Sequence, residues 1–227
     1  MYKNTFRVPT FTDLYYLRVG NVNLNPEKAT EYTLGITWSG NPFRFTDFVS
    51  LTLDGYFNKV DDKIIAFPST YVWKMQNYGK VHITGIDLTL ATALPLGRST
   101  NLNLSGNYSW QKAIDVTNPD AKNYKHQLPY TPEHNGNLSA TLEMPWVNIG
   151  YTMNIVSKRY YLAQNIPDHE IGGYNEHTAT LWREFCLGTN KFRLQAEIIN
   201  LTNAQYDVIK YYPMPCRSWR LTGTFTF

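Results

Sequence analysis

Apolar and polar residues alternate strictly, over and over, along this chain, and that period of two leaves few folds open. Tyr32, Leu34, Ile36 and Trp38 alternate with Thr33, Gly35, Thr37 and Ser39. Val49, Leu51, Leu53 and Phe57 alternate with Ser50, Thr52, Asp54 and Tyr56. The pattern returns at residues 86–90, 102–110, 138–142 and 147–155, weakly at 179–181, and again at 192–198 and 219–227. A period of two puts side chains of one kind on one face of a β-strand, and no stretch carries the helical period. Several of these runs persist for about ten residues, against about five or six in an average strand of a soluble domain. About ten tilted residues is what a strand needs to cross a bilayer.

The connections alternate too. "LPLGRS", "EMPWVN" and "CLGTNK" are short, and "SGNPFRF" is only a little longer. Between them lie long segments, residues 7–29, 61–79, 113–133, 161–173 and 202–216. That is an antiparallel up-and-down meander with tight turns at one end and large loops at the other, the plan of an outer-membrane barrel. The aromatics sort by end. Trp38, Trp146, Phe185, Phe225 and Phe227 fall near the short turns, and Trp110, Tyr160, Tyr161 and Trp219 near the long loops. Two such belts are expected where amphipathic rings meet headgroups. An Arg or Lys facing lipid at midplane costs about 2–4 kcal/mol. Arg193 and Arg220 are therefore expected to face a wet lumen, and Phe192, Leu194 and Leu221 the lipid. Alternation alone also admits a soluble ligand-binding β-barrel with its apolar faces inward, or a small independent outer-membrane barrel such as an adhesin.

Composition narrows the function classes. Mean hydropathy is −0.39, and no run approaches the roughly 18 apolar residues of a membrane helix. The net charge of +3 comes without any Lys/Arg block, so nothing points to nucleic acid. The start, "MYKNTFRVPT", lacks the apolar stretch of a signal peptide. The five histidines are scattered, and no HExxH, GxSxG or phosphate loop occurs, so no catalytic residue, metal site or cofactor is expected. The Asp/Asn-rich "DVTNPDAKN" at 115–123 lacks EF-hand spacing and reads as a solvated turn. Cys186 falls at a short turn and Cys216 at the long-loop start of the last strand, so no disulfide is expected between them.

Residues 6–35, "FRVPTFTDLYYLRVGNVNLNPEKATEYTLG", resemble the FRxPTxxxLY and GNxxLxPEK segment of TonB-dependent outer-membrane receptors. "MQNYGKVHITGIDLTL" at 75–90 resembles the next strand of those receptors, and "EIINLTNAQYDVIKYYPMP" with the terminal Phe227 resembles their last hairpin. The likeness covers nearly the whole chain and leans to the cobalamin- and siderophore-receptor branch. It implies active uptake of a scarce nutrient (vitamin B12, a metal-siderophore or haem) across the bacterial outer membrane. Its implied partners are outer-membrane lipid, the rest of the receptor, TonB acting through a plug domain, and the outer-membrane assembly machinery. A receptor of this family has about 22 strands around a plugged lumen. Nine strands and the tail of one more at residues 1–6 are expected here, so residues 1–227 read as the C-terminal portion of the barrel, without plug, TonB box or signal sequence. The family pattern places Gly where Cys216 follows "PMP", which suggests a turn that strains Cys.

Ligand contacts are expected in the long loops, where Tyr71, Trp73, Tyr124, His126, Tyr160, Tyr161, Tyr211 and Tyr212 offer flat surfaces with polar tips. Arg7 and Arg18 are candidates for an anionic ligand, although Arg7, a residue of the motif, serves equally well to pin its loop. The terminal Phe225 and Phe227 resemble the signal by which barrels are recognised for insertion.

Overall fold

The computed structural model describes residues 1–43, 45–68, 72–188 and 190–227. The strands are β1 (Tyr2–Arg7), β2 (Glu27–Gly40), β3 (Phe48–Pro68), β4 (Trp73–Gly97), β5 (Thr100–Asp115), β6 (His134–Glu143) and β7 (Asn148–Val156). They continue as β8 (Arg159–Tyr160), β9 (Glu170–Ile171), β10 (Tyr174–Leu187), β11 (Asn190–Ile199), β12 (Asp207–Ile209), β13 (Tyr212–Pro213) and β14 (Ser218–Thr226). Ten of them form one antiparallel sheet in the order β1-β2-β3-β4-β5-β6-β7-β10-β11-β14. The other four make two small ribbons, β8 with β9 and β12 with β13, inside the loops after β7 and β11. The expected all-β meander is therefore present, with the tail at residues 1–6 as its first strand.

Register carries the alternation across the whole sheet. Tyr32 pairs with Phe57, Ile36 with Leu53 and Trp38 with Leu51. Leu53 pairs with Leu88 and Leu51 with Leu90. Leu88 then meets Tyr108, Leu102 meets Leu142, and Leu142 meets Ile149. Ile149 pairs with Leu181, Leu181 with Ala196, and Ala196 with Leu221. One face is thus continuously apolar and exposed, Leu34 and Leu221 among its members. A soluble sheet would bury such a face, and lipid is the solvent that suits it.

The opposite face is polar and joined across strands. Thr37 and Ser39 share hydrogen bonds with Thr52 and Ser50, each at 3.0 Å. Asn137 donates to Asn154 at 2.6 Å, and Ser109 donates to the Asp87 carboxylate. Arg220 pairs with Glu197, and Arg193 donates to Gln195 at 2.7 Å. Both arginines lie on this polar face and Phe192, Leu194 and Leu221 on the other, as energetics require.

Three sequence expectations need correction. Residues 61–79 are not a long loop: β3 and β4 run on to Pro68 and Trp73. Asp61 and Asp62 look like a turn, but only Asp62 leaves the ladder, at φ 55°, and pairing resumes at Lys63 with Tyr78. Just below that kink the polar-wall side turns apolar, because Val60, Val81 and Ala113 pack under Leu128 from the following loop. Second, the loop after β1 holds a one-turn helix, α1 (Phe11–Tyr15), which the absence of helical period hid. It is held by a capping box in which Thr10 and Asp13 each accept the other's backbone N–H. Third, Cys216 is not strained. The left-handed non-glycine residues among those described include Asn200, Asn203 and Tyr211 but not Cys216.

Candidate ligand-facing mouth of the barrel

The long-loop end includes residues 8–26, 116–133, 157–173 and 200–217 and the upper strands of the β3–β4 hairpin, to Pro68 and from Trp73. Their backbones are locked together rather than loose. Asn165 accepts from the Gln127 N–H at 2.6 Å and returns its own side-chain amide to the Gln127 carbonyl at 3.1 Å. The Tyr130 N–H donates to the Tyr160 carbonyl at 2.7 Å. Arg159, buried at 4% exposure, donates from Nη2 to the carbonyls of Asp207 at 2.7 Å and Val208 at 2.9 Å. Asn200 closes the last loop by donating to the Ala204 and Pro215 carbonyls and accepting from the Ala204 N–H.

These locks gather aromatic rings. Trp73 lies against Tyr130 with centroids 5.3 Å apart. Tyr161 meets His169 at 5.4 Å and Tyr211 at 6.5 Å, both edge-on. The Lys210 ammonium stands 5.6 Å from the centroids of both Tyr161 and Tyr211. Farther down, Tyr174 stacks on Tyr206 at 3.9 Å, and the Tyr206 hydroxyl donates to the Glu176 carboxylate. The Arg159 guanidinium covers the same Tyr174 ring at 5.8 Å.

The structure sorts the sequence candidates unevenly. It brings together Trp73, Tyr160, Tyr161 and Tyr211. Tyr212 pairs with Ile209 in the β12–β13 ribbon and is exposed. His126 is engaged in loop closure, accepting from the Asn165 N–H at 3.3 Å, and Tyr124 lies under the Lys125 ammonium at 5.4 Å. Arg7 pairs with Asp13 at 3.6 Å and with Glu27 at 3.8 Å, which ties the loop after β1 to β2. Arg18 is exposed at φ 66° in that loop. Tyr71 lies outside the described residues. The Asp115 carboxylate of the 115–123 segment accepts from Thr117 and Asn123, the pattern of a self-satisfied turn. Phe225 pairs with Phe192 on the apolar face, and Phe227 is 98% exposed at the same end.

Sequence reading missed Tyr130, Arg159, Tyr174, Tyr206 and Lys210. Burial pushes the Tyr130 phenol above its usual range, against the lowering effect of a backbone hydrogen bond from Lys210 and of nearby Arg159. Burial also raises Tyr206, helped by its bond to Glu176, and lowers the Arg159 guanidinium. The mouth is therefore a wall of neutral phenols with cations at its edge. It offers stacking surface and hydrogen-bond donors, a binding arrangement rather than a nucleophilic one.

A family model described as TonB dependent receptor-like, beta-barrel, matches residues 2–201. Among solved structures, the ferric preacinetobactin receptor BauA of Acinetobacter baumannii is similar over 88% of this chain and 30% of its own, at 17% identity and TM-score 0.68. The closed form of the ferric-catecholate import receptor Fiu of E. coli K12 matches 98% of this chain and 32% of its own, at 20% identity and TM-score 0.68. The unliganded ferric citrate transporter FecA matches 87% of this chain and 31% of its own, at 15% identity and TM-score 0.69. The chain thus spans about a third of the length of each of these proteins.

Proposed function

This chain belongs to the family of TonB-dependent receptor-like β-barrels, and on that premise we propose that it is the C-terminal part of the barrel of an outer-membrane uptake receptor. The receptor takes up a scarce nutrient and couples to TonB through a plug domain carried elsewhere in the polypeptide. A ferric chelate is the favoured cargo, because three of the structurally similar proteins are named for ferric chelates; copper, for which another is named, vitamin B12 and haem are the competing substrates. One observation carries the reading. A single face of all ten sheet strands is apolar while its reverse is polar, and the polar side leads up to an aromatic mouth. The polar wall is then the surface that meets the plug and water, and the mouth is where cargo first stacks.

Among the described residues the outer edges of β1 and β14 have no sheet neighbour. Unpaired strand edges are untenable in hydrocarbon. The remaining strands of the receptor are the partner that closes them, and residues 1–227 alone are expected to give no working transporter. Phe225 and Phe227 serve as the insertion signal read by the assembly machinery.

The test uses the complete receptor in a strain dependent on it for iron. Trp73→Ala with Tyr130→Ala removes stacking worth about 0.5–1.5 kcal/mol per aromatic pair, so uptake of radiolabelled ferric chelate at low concentration should fall about two- to tenfold. Unchanged uptake of every chelate the wild type transports would sink the mouth as a cargo site. Stable, heat-modifiable protein from residues 1–227 alone that supports uptake would sink the fragment reading.

A further inference from the structure

Below the mouth, a recess of about 420 Å³ lies between the polar wall of β5, β6, β7 and β10 and the loop after β11. Two rows of the sheet register form its wall. In the lower row Asn107 pairs with Asn137, Asn137 with Asn154, and Asn154 with Glu176. In the row above, Asn135 pairs with Val156, and Val156 with Tyr174. Tyr206, Val208 and Met214 of the loop complete the lining. The loop is held there by Tyr206, which stacks on Tyr174 at 3.9 Å and donates its hydroxyl to Glu176. On the reverse face of the same strands Tyr108, Leu138 and Ile155 are exposed apolar residues. The recess therefore opens into the lumen at the level of the lipid, directly on the way down from the mouth.

Its chemistry is that of neutral amides. Asn137 donates to Asn154 at 2.6 Å. The side-chain amides of Asn107 and Asn135 carry no hydrogen bond among the described residues. No Lys, Arg or His among the described residues lines the recess. Arg159, against Tyr174, is buried and spends its Nη2 on the carbonyls of Asp207 and Val208. An anion would find no cation here and would meet Glu176, while a cation would find a single carboxylate already bound to Tyr206. A purely apolar ligand would leave the amides unpaired. An extended peptide repeats at about 3.3 Å per residue, out of step with a row whose strands stand about 4.8 Å apart. A hydroxyl both donates and accepts, as an amide does, so a hydroxyl-rich neutral ligand uses the wall fully. Val156, Val208 and Met214 add apolar surface, which suits the C–H face of a sugar ring as the amides suit its hydroxyls.

We propose that this recess is a subsite for a neutral saccharide unit entering from the mouth. The amides of Asn107 and Asn135 and the Glu176 carboxylate take its hydroxyls, and Val208 and Met214 cover its C–H face. The proposal rests on the uptake reading for the direction of travel and sharpens it. What the receptor carries past this wall bears a sugar, either as a free oligosaccharide or as a substituent on a ferric chelate.

The experiment uses the complete receptor in detergent. It is applied to a printed array of neutral and uronate- or sialate-bearing oligosaccharides, and its affinity for a ferric tris-catecholate is compared with that for the glucosylated form. The wild type is set beside an Asn107→Leu, Asn135→Leu variant whose folding is checked by heat-modifiable migration; an Asn107→Ala, Asn135→Ala variant replaces it if it fails to fold. Neutral oligosaccharides should bind, or the glucosylated chelate should bind better than the plain one. The variant should bind about five- to 150-fold more weakly, the loss of two hydrogen bonds between uncharged groups. Array binding assigns the sugar to a free oligosaccharide, and a preference confined to the glucosylated chelate assigns it to a substituent. No array binding together with no preference for the glucosylated chelate overturns the proposal. So does equal binding of acidic saccharides, or binding that the double variant leaves unchanged. None of these readouts needs TonB. A receptor that transports plain chelate but binds no sugar loses the subsite alone, and one that binds sugar but transports nothing loses the uptake reading alone.

Discussion

Leu90→Arg tests which face of the sheet meets lipid. Leu90 pairs with Leu51 on one side and Gly106 on the other, and it lies four residues from both Ile86 and Leu94 along the apolar run of β4. With a rise of about 3.3 Å per residue and a tilt of about 40°, four residues lift about 10 Å along the membrane normal. An arginine at this point is thus about 10 Å from either rim, too deep to snorkel without distorting the bilayer. The expected cost is about 2–4 kcal/mol, or about 30- to 900-fold in the folded fraction. Thr89 is the control, because it pairs with Thr52 and Asn107 on the polar face. Thr89→Arg should cost less than about 1 kcal/mol, since that side is wetted. The assay is urea-dependent folding of the complete polypeptide into lipid vesicles, read by heat-modifiable migration. Equal losses for the two variants, or a harmless Leu90→Arg, would refute the assignment of faces.

Other outcomes follow from single contacts. A Cβ on Gly85 would stand 2.3 Å from the ring of Tyr56, whose hydroxyl accepts from Gln111 at 3.0 Å. Gly85→Ala should cost about 1–3 kcal/mol in the same folding assay, and Tyr56→Ala should suppress most of that loss. Asn200 is 1% exposed at φ 54° and closes its loop with three hydrogen bonds. Asn200→Ala removes all three bonds and leaves an alanine in a left-handed backbone, at about 1–3 kcal/mol, so limited proteolysis within residues 200–217 should speed up; an unchanged cleavage rate would count against the lock. The phenols of Tyr130 and Tyr206 are raised above 10.0 by burial in the folded loops. The unfolded loop then loses its phenolic protons first as pH climbs, so the stability they contribute is whole below pH 10.0 and is lost above it. The loops should become protease-sensitive above that pH while the strands stay intact, and Tyr206→Phe should blunt the effect.

The meander was legible in the sequence because it rests on a period. Alternation needs no partner to be recognised, and in lipid the partner is the solvent itself, so faces such as Leu34 outward and Thr37 inward follow from chemistry alone. Short turns such as residues 94–99 were equally plain. The error at residues 61–79 has a physical cause. Above the membrane the hairpin leaves lipid, its outer face becomes free to be polar, and Lys59, Asp61 and His82 break the alternation that identified the strand. What holds it there is Leu128 laid on Val60, Val81 and Ala113, a contact made by a residue distant in sequence.

The mouth shows the same limit more sharply. Trp73, Tyr160, Tyr161 and Tyr211 could be nominated because a tyrosine or tryptophan in a long loop is conspicuous. Tyr130 and Arg159 are no less central, but their importance lies in backbone partners: the Tyr130 N–H on the Tyr160 carbonyl, and Arg159 on the carbonyls of Asp207 and Val208. Any residue presents a carbonyl, so such a contact leaves no mark in composition or spacing. The consequence is asymmetric for mutagenesis. Replacing a nominated ring such as Tyr211, 77% exposed, removes one contact surface, whereas removing Arg159 frees two loops at once. Arg159→Ala should therefore raise proteolysis in both residues 157–173 and 200–217, where Tyr211→Ala raises it in neither. Parallel loosening by both variants would mean that the rings, not the backbone locks, hold the mouth in shape.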